Sequence, residues 1–459
     1  MTVEDNSNQP IIEEKILLEK RRVPKDRFHL VYILFFILGN ASSLPIHIFM
    51  TAEAYYSVKL KGTPYQYNFE NYIIVAYSIS TIFASAANLR LLKSINVMHR
   101  MIFGLIVLTI SFIFTAFMSK LDTTNWKITF FALTIITVIL TGLFGNSMYQ
   151  SSLYGLVGVF PKNYSQAVQC GQALSAILTA LASIISLIDF NNAAIIFALV
   201  GKSVYDSGLG YFSSGVVLLM LCMCIQFLLG RVEFAKYYMR NLECGKKAVE
   251  KITLIEEDGE EMDEEIKPTY NRKLSNYQRI NYVFKETWPT TVALFTCYTV
   301  TYTVYPAICS RVASVDRGDN DLFTGKLYIP ITTFLLFATA DMVGRTISVW
   351  VLWPSAKRGI TLMILSLGRI IFIPLIFYCN AQPRRKSIPV LIPNDAAYVL
   401  IITLFALSHG YIKAIGVMHA PMRVNSSYRE SAGSMSYFAI VSGFGIGSAL
   451  SFLVAAVLY

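Results

Sequence analysis

The stretch Phe334-Leu-Leu-Phe-Ala-Thr-Ala-Asp341-Met-Val-Gly-Arg345 places two opposite charges inside an apolar run reaching from Leu327 to about Trp353. Charges at membrane depth cost several kcal/mol, so they are rare and usually functional. A spacing of four residues sets both on one helix face, one turn apart. Asp341 lies about fourteen residues into the run, roughly 21 Å at 1.5 Å per residue, inside a hydrocarbon core of roughly 30 Å. A carboxylate beside a fixed cation suits the grip on a polar, uncharged solute. The competing reading is a structural ion pair that clips this helix to a neighbour.

Outward from this stretch, composition agrees with a membrane setting. Hydrophobic residues make up 54% of 459 and charged residues only 15%, too apolar for a soluble domain of this size. The net charge of +10 therefore does not point to nucleic acid, and no basic stripe with interleaved aromatics occurs in a polar segment. The seven cysteines show neither a disulfide framework nor zinc spacing. Cys222 and Cys224 are read as core thiols. No Walker loop, nucleophile elbow or His-Glu-x-x-His is present. The reading is of a non-enzyme without cofactor or metal.

Apolar runs of spanning length number about eleven: 28–52, 70–92, 100–119, 128–160, 165–188, 207–230, 287–309, 327–353, 359–380, 396–420 and 432–458. The expected fold is an all-α membrane protein of about eleven transmembrane helices in a two-bundle, six-plus-five, major-facilitator-like arrangement. The first run, flanked by Lys20, Arg21, Arg22, Lys25 and Arg27, reads as a signal anchor. Lys/Arg placement sets the N-terminus in the cytoplasm and the C-terminus outside. The divisions are a cytoplasmic tail (1–27), a six-helix bundle (28–230), a cytoplasmic loop (231–286) and a five-helix bundle (287–459). The loop holds the acidic run Glu256-Glu-Asp-Gly-Glu-Glu-Met-Asp-Glu-Glu265, which cannot bury apolar area and reads as a solvated tether. Two bundles joined by such a tether suit a transporter with its site between them.

Other intramembrane polar residues extend the candidate set. Gln150 presents a donor and an acceptor near the middle of the fourth run; taken alone, it reads as helix–helix glue. Arg369 is mid-span in the ninth run and reads as structural. His47 follows Pro45 in the first run and suits either a packed ring or a cavity wall. His409 and Lys413 lie one turn apart in the tenth run. Lys413 is expected to snorkel towards the inner interface; the alternative is a proton-sensing pair with His409, to which His47 could add. Small residues, among them Gly171 in the fifth run and Gly433 in the last, indicate close helix packing.

Together these runs resemble the equilibrative nucleoside transporter family over nearly the full length outside the tail and central loop. The resemblance rests on Gln150-Ser-Ser-Leu-Tyr-Gly-Leu-Val-Gly-Val-Phe-Pro161, Tyr164 and Gly171-Gln172, then Asp341-Met-Val-Gly-Arg345 with Trp353-Pro354. It continues through Arg369-Ile-Ile-Phe-Ile-Pro374, Cys379-Asn380, Pro383-Arg384-Arg385, Gly410-Tyr411, Pro421, Val424, Glu430-Ser-Ala-Gly433 and Ser451-Phe452-Leu453. It implies facilitative, alternating-access transport of nucleosides such as adenosine and uridine, and of nucleobases, across a lipid bilayer. Gln150 matches the family glutamine that reads the base, and Asp341 and Arg345 match the pair that contacts the ribose.

The chain departs from the family at several places. Pro45-Ile46-His47 stands where animal members often carry Pro-Trp-Asn, which makes Ile46 and His47 candidate substrate contacts. Asn146 replaces a family glycine one turn before Gln150 and joins that set. Ser408-His409-Gly410-Tyr411 replaces Ser-Asn-Gly-Tyr. Alternative readings are therefore a proton-coupled or organic-cation-preferring relative, or a non-transporting receptor or sensor. Glu13-Glu-Lys-Ile-Leu17-Leu18 fits an acidic dileucine signal for sorting adaptors, so a lysosomal or endosomal membrane stands beside the plasma membrane as a destination.

Overall fold

The structure is a computed structural model that describes residues 24–51, 56, 58–66, 69–92, 94–187, 204–243, 275–316, 323–385 and 388–458. All extended elements among them are helical; the exceptions are two isolated bridges, Val312 with Ala381 and Cys379 with Ile392. In chain order the helices are α1 (Leu30–Thr51), α2 (Phe69–Leu91), α3 (Val97–Lys120), α4 (Lys127–Leu140), α5 (Ser147–Val159), α6 (Lys162–Leu187) and α7 (Val204–Leu229). Then follow α8 (Asn276–Val304), α9 (Leu336–Trp350), α10 (Gly359–Gly368), α11 (Phe372–Phe377), α12 (Asp395–Met422) and α13 (Arg429–Leu458).

Local chemistry explains several boundaries. Asn96 caps α3 by accepting from the Met98 amide, and Asn394 caps α12 by accepting from Ala397. Ser275 and Gln278 form a reciprocal capping box at the start of α8, satisfying two otherwise orphaned groups. The helix thus begins inside the segment expected as a loop, and 233–243 are helical as well. The acidic run and the dileucine motif (Glu13, Leu17, Leu18) lie outside the described residues.

Two continuous rods contain wide turns. π-helical Thr141–Asn146 joins α4 to α5, and π-helical Pro330–Leu335 leads into α9. Such insertions often accompany functional sites. Here one ends on Asn146 and the other lies about two to three turns ahead of Asp341.

Ten helices among the described residues are long and apolar enough to cross a membrane. The rod Pro330–Trp350 is not one of them, because Asp341 and Arg345, with several threonines, lower its hydropathy. Helix faces sort as a bilayer requires. On α3, Met101, Leu105, Leu108 and Phe112 are buried while Phe103, Ile106, Ile110, Ile113 and Phe117 are exposed. An exposed apolar stripe on so many helices is a lipid-facing surface.

The largest apolar core draws on residues between Val31 and Leu242, and a second on residues between Val300 and Leu458. Smaller clusters bridge them, one around Tyr154, Tyr298 and Tyr437, another around Leu89, Val283 and Tyr428. The six described cysteines are free thiols. Cys222 is buried, but Cys224 is exposed, which corrects its reading as a core thiol: two positions on a helix turn a side chain by about 200°.

Candidate functional site

Asp341 and Arg345 sit one turn apart on α9, both at least 95% buried. Arg345 Nη2 donates to Asp341 Oδ2, and Nη1 donates to the backbone carbonyl of Gln169 on α6. Two atoms of the pair, Asp341 Oδ1 and Arg345 Nε, are buried without a hydrogen-bond partner. An unmatched buried acceptor costs about 1–3 kcal/mol.

The opposing wall comes from the first half of the chain. Asn146 and Gln150 lie one turn apart where the wide turn passes into α5. Gln150 Nε2 donates to the Ser42 carbonyl at 2.6 Å and to Asn146 Oδ1 at 3.2 Å. Its Oε1 accepts from Gln172 Nε2 at 3.4 Å. Gln172 Oε1 in turn accepts from the Tyr154 hydroxyl and from Lys413 Nζ, each at 3.0 Å. Asn146 also donates to the Tyr77 hydroxyl. A chain of amides thus runs from α5 through α6 and ends on a cation of α12.

Between these walls lies a cavity of about 380 Å³ that Gln150, Gln172, Asp341, Arg345 and Lys413 all line. Ile46 and His47 reach it from α1. Its remaining surface is largely aromatic. Tyr302 meets Phe444 edge-on at 4.5 Å between centroids, and Tyr298 lies 5.8 Å from Tyr302 with nearly parallel rings. Amide and carboxylate edges set among aromatic faces suit a flat, polar heterocycle joined to a hydroxyl-bearing group.

The remaining candidates divide. His409 lines the cavity, but its Nδ1 faces Thr301 Oγ1 at 2.9 Å and its ring packs between Tyr298 and Phe337. Lys413 does not snorkel. It is only 4% exposed, bonded to Gln172, with Nζ 5.6 Å from the Tyr298 ring centroid. Its expected route to the interface loses because the amide and ring lie nearer than water. Arg369 is buried behind this wall, donating to the Cys297 and Phe405 carbonyls at 2.8 and 3.1 Å, to Thr301 Oγ1 at 2.9 Å and to Ser408 Oγ at 3.0 Å. Gly171 packs on α1, where an added Cβ would collide with the Phe36 carbonyl; at Gly433 it would collide with that of Tyr154.

Sequence reasoning missed Gln172 as a hub and missed the aromatic lining. The available signal for the latter was Tyr298-x-x-x-Tyr302, two tyrosines one turn apart in a span. Among the described residues, no group of three His, Cys, Asp or Glu side chains is placed to hold a metal ion.

Comparison with known proteins bears on what occupies this cavity. A family model described as "Nucleoside transporter" matches residues 133–456. The chain belongs to the nucleoside transporter family. Among similar proteins, equilibrative nucleoside transporter 3 of Rattus norvegicus is 29% identical over 446 residues, covering 94% of this chain and 90% of its own. Equilibrative nucleoside transporter 2 of Homo sapiens is 29% identical over 470 residues, covering 95% and 99%. In fold, the transporter is similar to the proton:xylose symporter XylE bound to 6-bromo-6-deoxy-D-glucose, with a TM-score of 0.57 at 10% identity, covering 98% of this chain and 95% of that one. A variant of the E. coli fucose:proton symporter FucP gives 0.52 at 12% identity, covering 95% and 97%. The transporter is thus a multi-pass, all-helical membrane protein with the major facilitator fold, and not an enzyme.

Proposed function

We propose that the chain carries nucleosides such as adenosine and uridine, and nucleobases, by facilitated diffusion with alternating access. The observation that carries the substrate reading is that the buried Asp341–Arg345 pair lines the same cavity as the amides of Gln150 and Gln172. In this reading Asp341 and Arg345 hold the sugar hydroxyls. Gln150, supported by Asn146, reads the base edge, with Ile46 and His47 closing the wall.

Alternation is supported by the unequal ends of the cavity. It extends along α13 from Tyr437 to Ala455 and reaches Arg311. About two turns before Tyr437, Glu430 pairs with Arg100 of α3, both buried, and Arg100 also donates to Asn88 Oδ1 at 3.0 Å. Rocking of the halves 28–230 and 287–459, with six and five spans joined through 231–286, would break this pair and close the other end. The positive-inside pattern puts Arg100 on the cytoplasmic side, with the N-terminus inside and the C-terminus outside. The plasma membrane is the proposed location, with the dileucine motif as a route to lysosomes through sorting adaptors.

Saturable uptake of radiolabelled uridine and adenosine by proteoliposomes holding the pure protein tests this reading. Binding without flux would instead mark a receptor. A second reading, proton coupling, is favoured by the two histidines that line the cavity. Accumulation above equilibrium under an imposed pH gradient would decide for it.

A further inference from the structure

We propose that this transporter also accepts nucleosides whose base carries one negative charge, and that Lys413 selects them. The inference rests on the nucleoside reading of the same cavity and adds a substrate class to it.

The charges around the cavity are unequal. Among the described residues that line it, Asp341 is the one carboxylate, against Arg345, Lys413 and, at the rim, Arg311. Asp341 is committed to Arg345. Arg311 has interactions of its own. Lys413 differs. Its ammonium meets a neutral amide, Gln172, and the face of Tyr298, and no carboxylate among the described residues lies within ion-pair distance of it. The neighbouring groups do not supply the missing charge: His409 stands one turn away, His47 lines the same cavity, and Arg369 is a further buried cation. Charging a buried amine whose direct contacts are neutral is costly, and an anionic partner offsets that cost. An ammonium has three donors, of which Gln172 takes one.

Position decides where on the ligand the charge belongs. Lys413 is bonded to Gln172, which is bonded to Gln150. Through Gln172 it is tied to Gln150, the amide assigned to the base, whereas the charges of Asp341 and Arg345 are committed to each other. The matching ligand is a nucleoside with an ionised group on its base, such as orotidine, which is uridine with one added carboxylate. The same field disfavours a base that carries a positive charge, such as 1-methyladenosine.

The test uses the full chain in proteoliposomes, with labelled uridine uptake competed by uridine, orotidine, adenosine and 1-methyladenosine, and labelled orotidine flux measured directly. In the wild type, orotidine should compete at least as well as uridine and be carried, while 1-methyladenosine should compete about tenfold less well than adenosine. Lys413→Met should lower the orotidine-to-uridine potency ratio by about tenfold and narrow the adenosine gap. Lys413→Arg should keep the wild-type ratio. Lys413→Gln repeats the comparison should the Met variant prove unstable by its melting temperature. Wild-type protein that carries uridine but does not recognise orotidine would overturn the proposal alone, as would an unchanged ratio in both neutral variants. Wild-type protein that binds no nucleoside would overturn it together with the nucleoside reading.

Discussion

Gly410 of α12 packs so closely on Asp341 of α9 that a Cβ at Gly410 would collide with the Asp341 carbonyl oxygen and lie 2.8 Å from Oδ1. The carboxylate is thus held from behind by bare backbone. Gly410→Ala should push α9 and α12 apart, at a cost of about 1–3 kcal/mol, and lower uridine uptake more than it lowers stability. Uptake and melting temperature measured together check this; wild-type uptake would mean that Asp341 tolerates displacement.

Asp341→Asn and Arg345→Ala should each reduce uptake at least about tenfold, because each leaves a buried group without its partner. The double substitution should cost less than the two single costs together, since the pair acts as one unit. Additive losses would separate the two residues into independent roles. Saturable uptake at wild-type level by a folded Asp341→Ala protein would remove Asp341 from the site.

Gln150→Ala should weaken nucleosides as a class and alter base preference more than tolerance of changes in the sugar. The amide bridges Ser42, Asn146 and Gln172, so its loss also loosens the wall from α1 to α6. Unchanged competition by purine and pyrimidine nucleosides would reduce Gln150 to a packing role.

Glu430→Gln should loosen the inner end of the cavity. Removing one charge from the buried Arg100–Glu430 pair costs about 3–5 kcal/mol, which falls on the conformer that contains the pair. Labelling of a cysteine placed at Ser151, near Ser434 of α13, should rise from the cytoplasmic side. Exchange of the two charges, Arg100→Glu with Glu430→Arg, should recover part of the protection. Protection unchanged in Glu430→Gln would show that the pair does not hold this end.

Any change of uptake with pH should be lost in His47→Asn rather than in His409→Asn. Both rings line the cavity; His409 is held there by Thr301 and by two aromatic rings on the second half of the chain, and His47 approaches from α1. The profiles of His47→Asn and His409→Asn against wild type check this. Flat profiles in all three would leave both histidines as packing residues.

The helical plan is legible in the sequence because each span must satisfy its backbone alone, which demands long apolar runs. Among the described residues, the rod Pro330–Trp350 falls short in hydropathy through Asp341 and Arg345, the residues that announce the site. The depth and spacing of that pair can be read from one helix. The hub at Gln172 cannot, since its partners come from α1, α5 and α12. Lys413 fails for the same reason: counting residues to the interface ignores a nearer amide on another helix. The wide turns at Thr141–Asn146 and Pro330–Leu335 leave no mark on composition.

α6 receives two buried cations of the second half that line the cavity: Arg345 on the Gln169 carbonyl and Lys413 on the Gln172 side chain. The unloaded protein therefore carries a stand-in for its cargo built from its own chain. A carrier that must reset after each delivery often does so slowly, because an empty polar site is unstable. Here Arg345 and Lys413 keep hydrogen-bond acceptors on α6 in the empty protein, which offsets part of that cost, so the unloaded protein should reorient only modestly more slowly than the loaded one. Preloading the far side of the membrane with uridine should then accelerate uptake little, and net flux down a gradient, rather than one-for-one exchange, becomes the natural working mode.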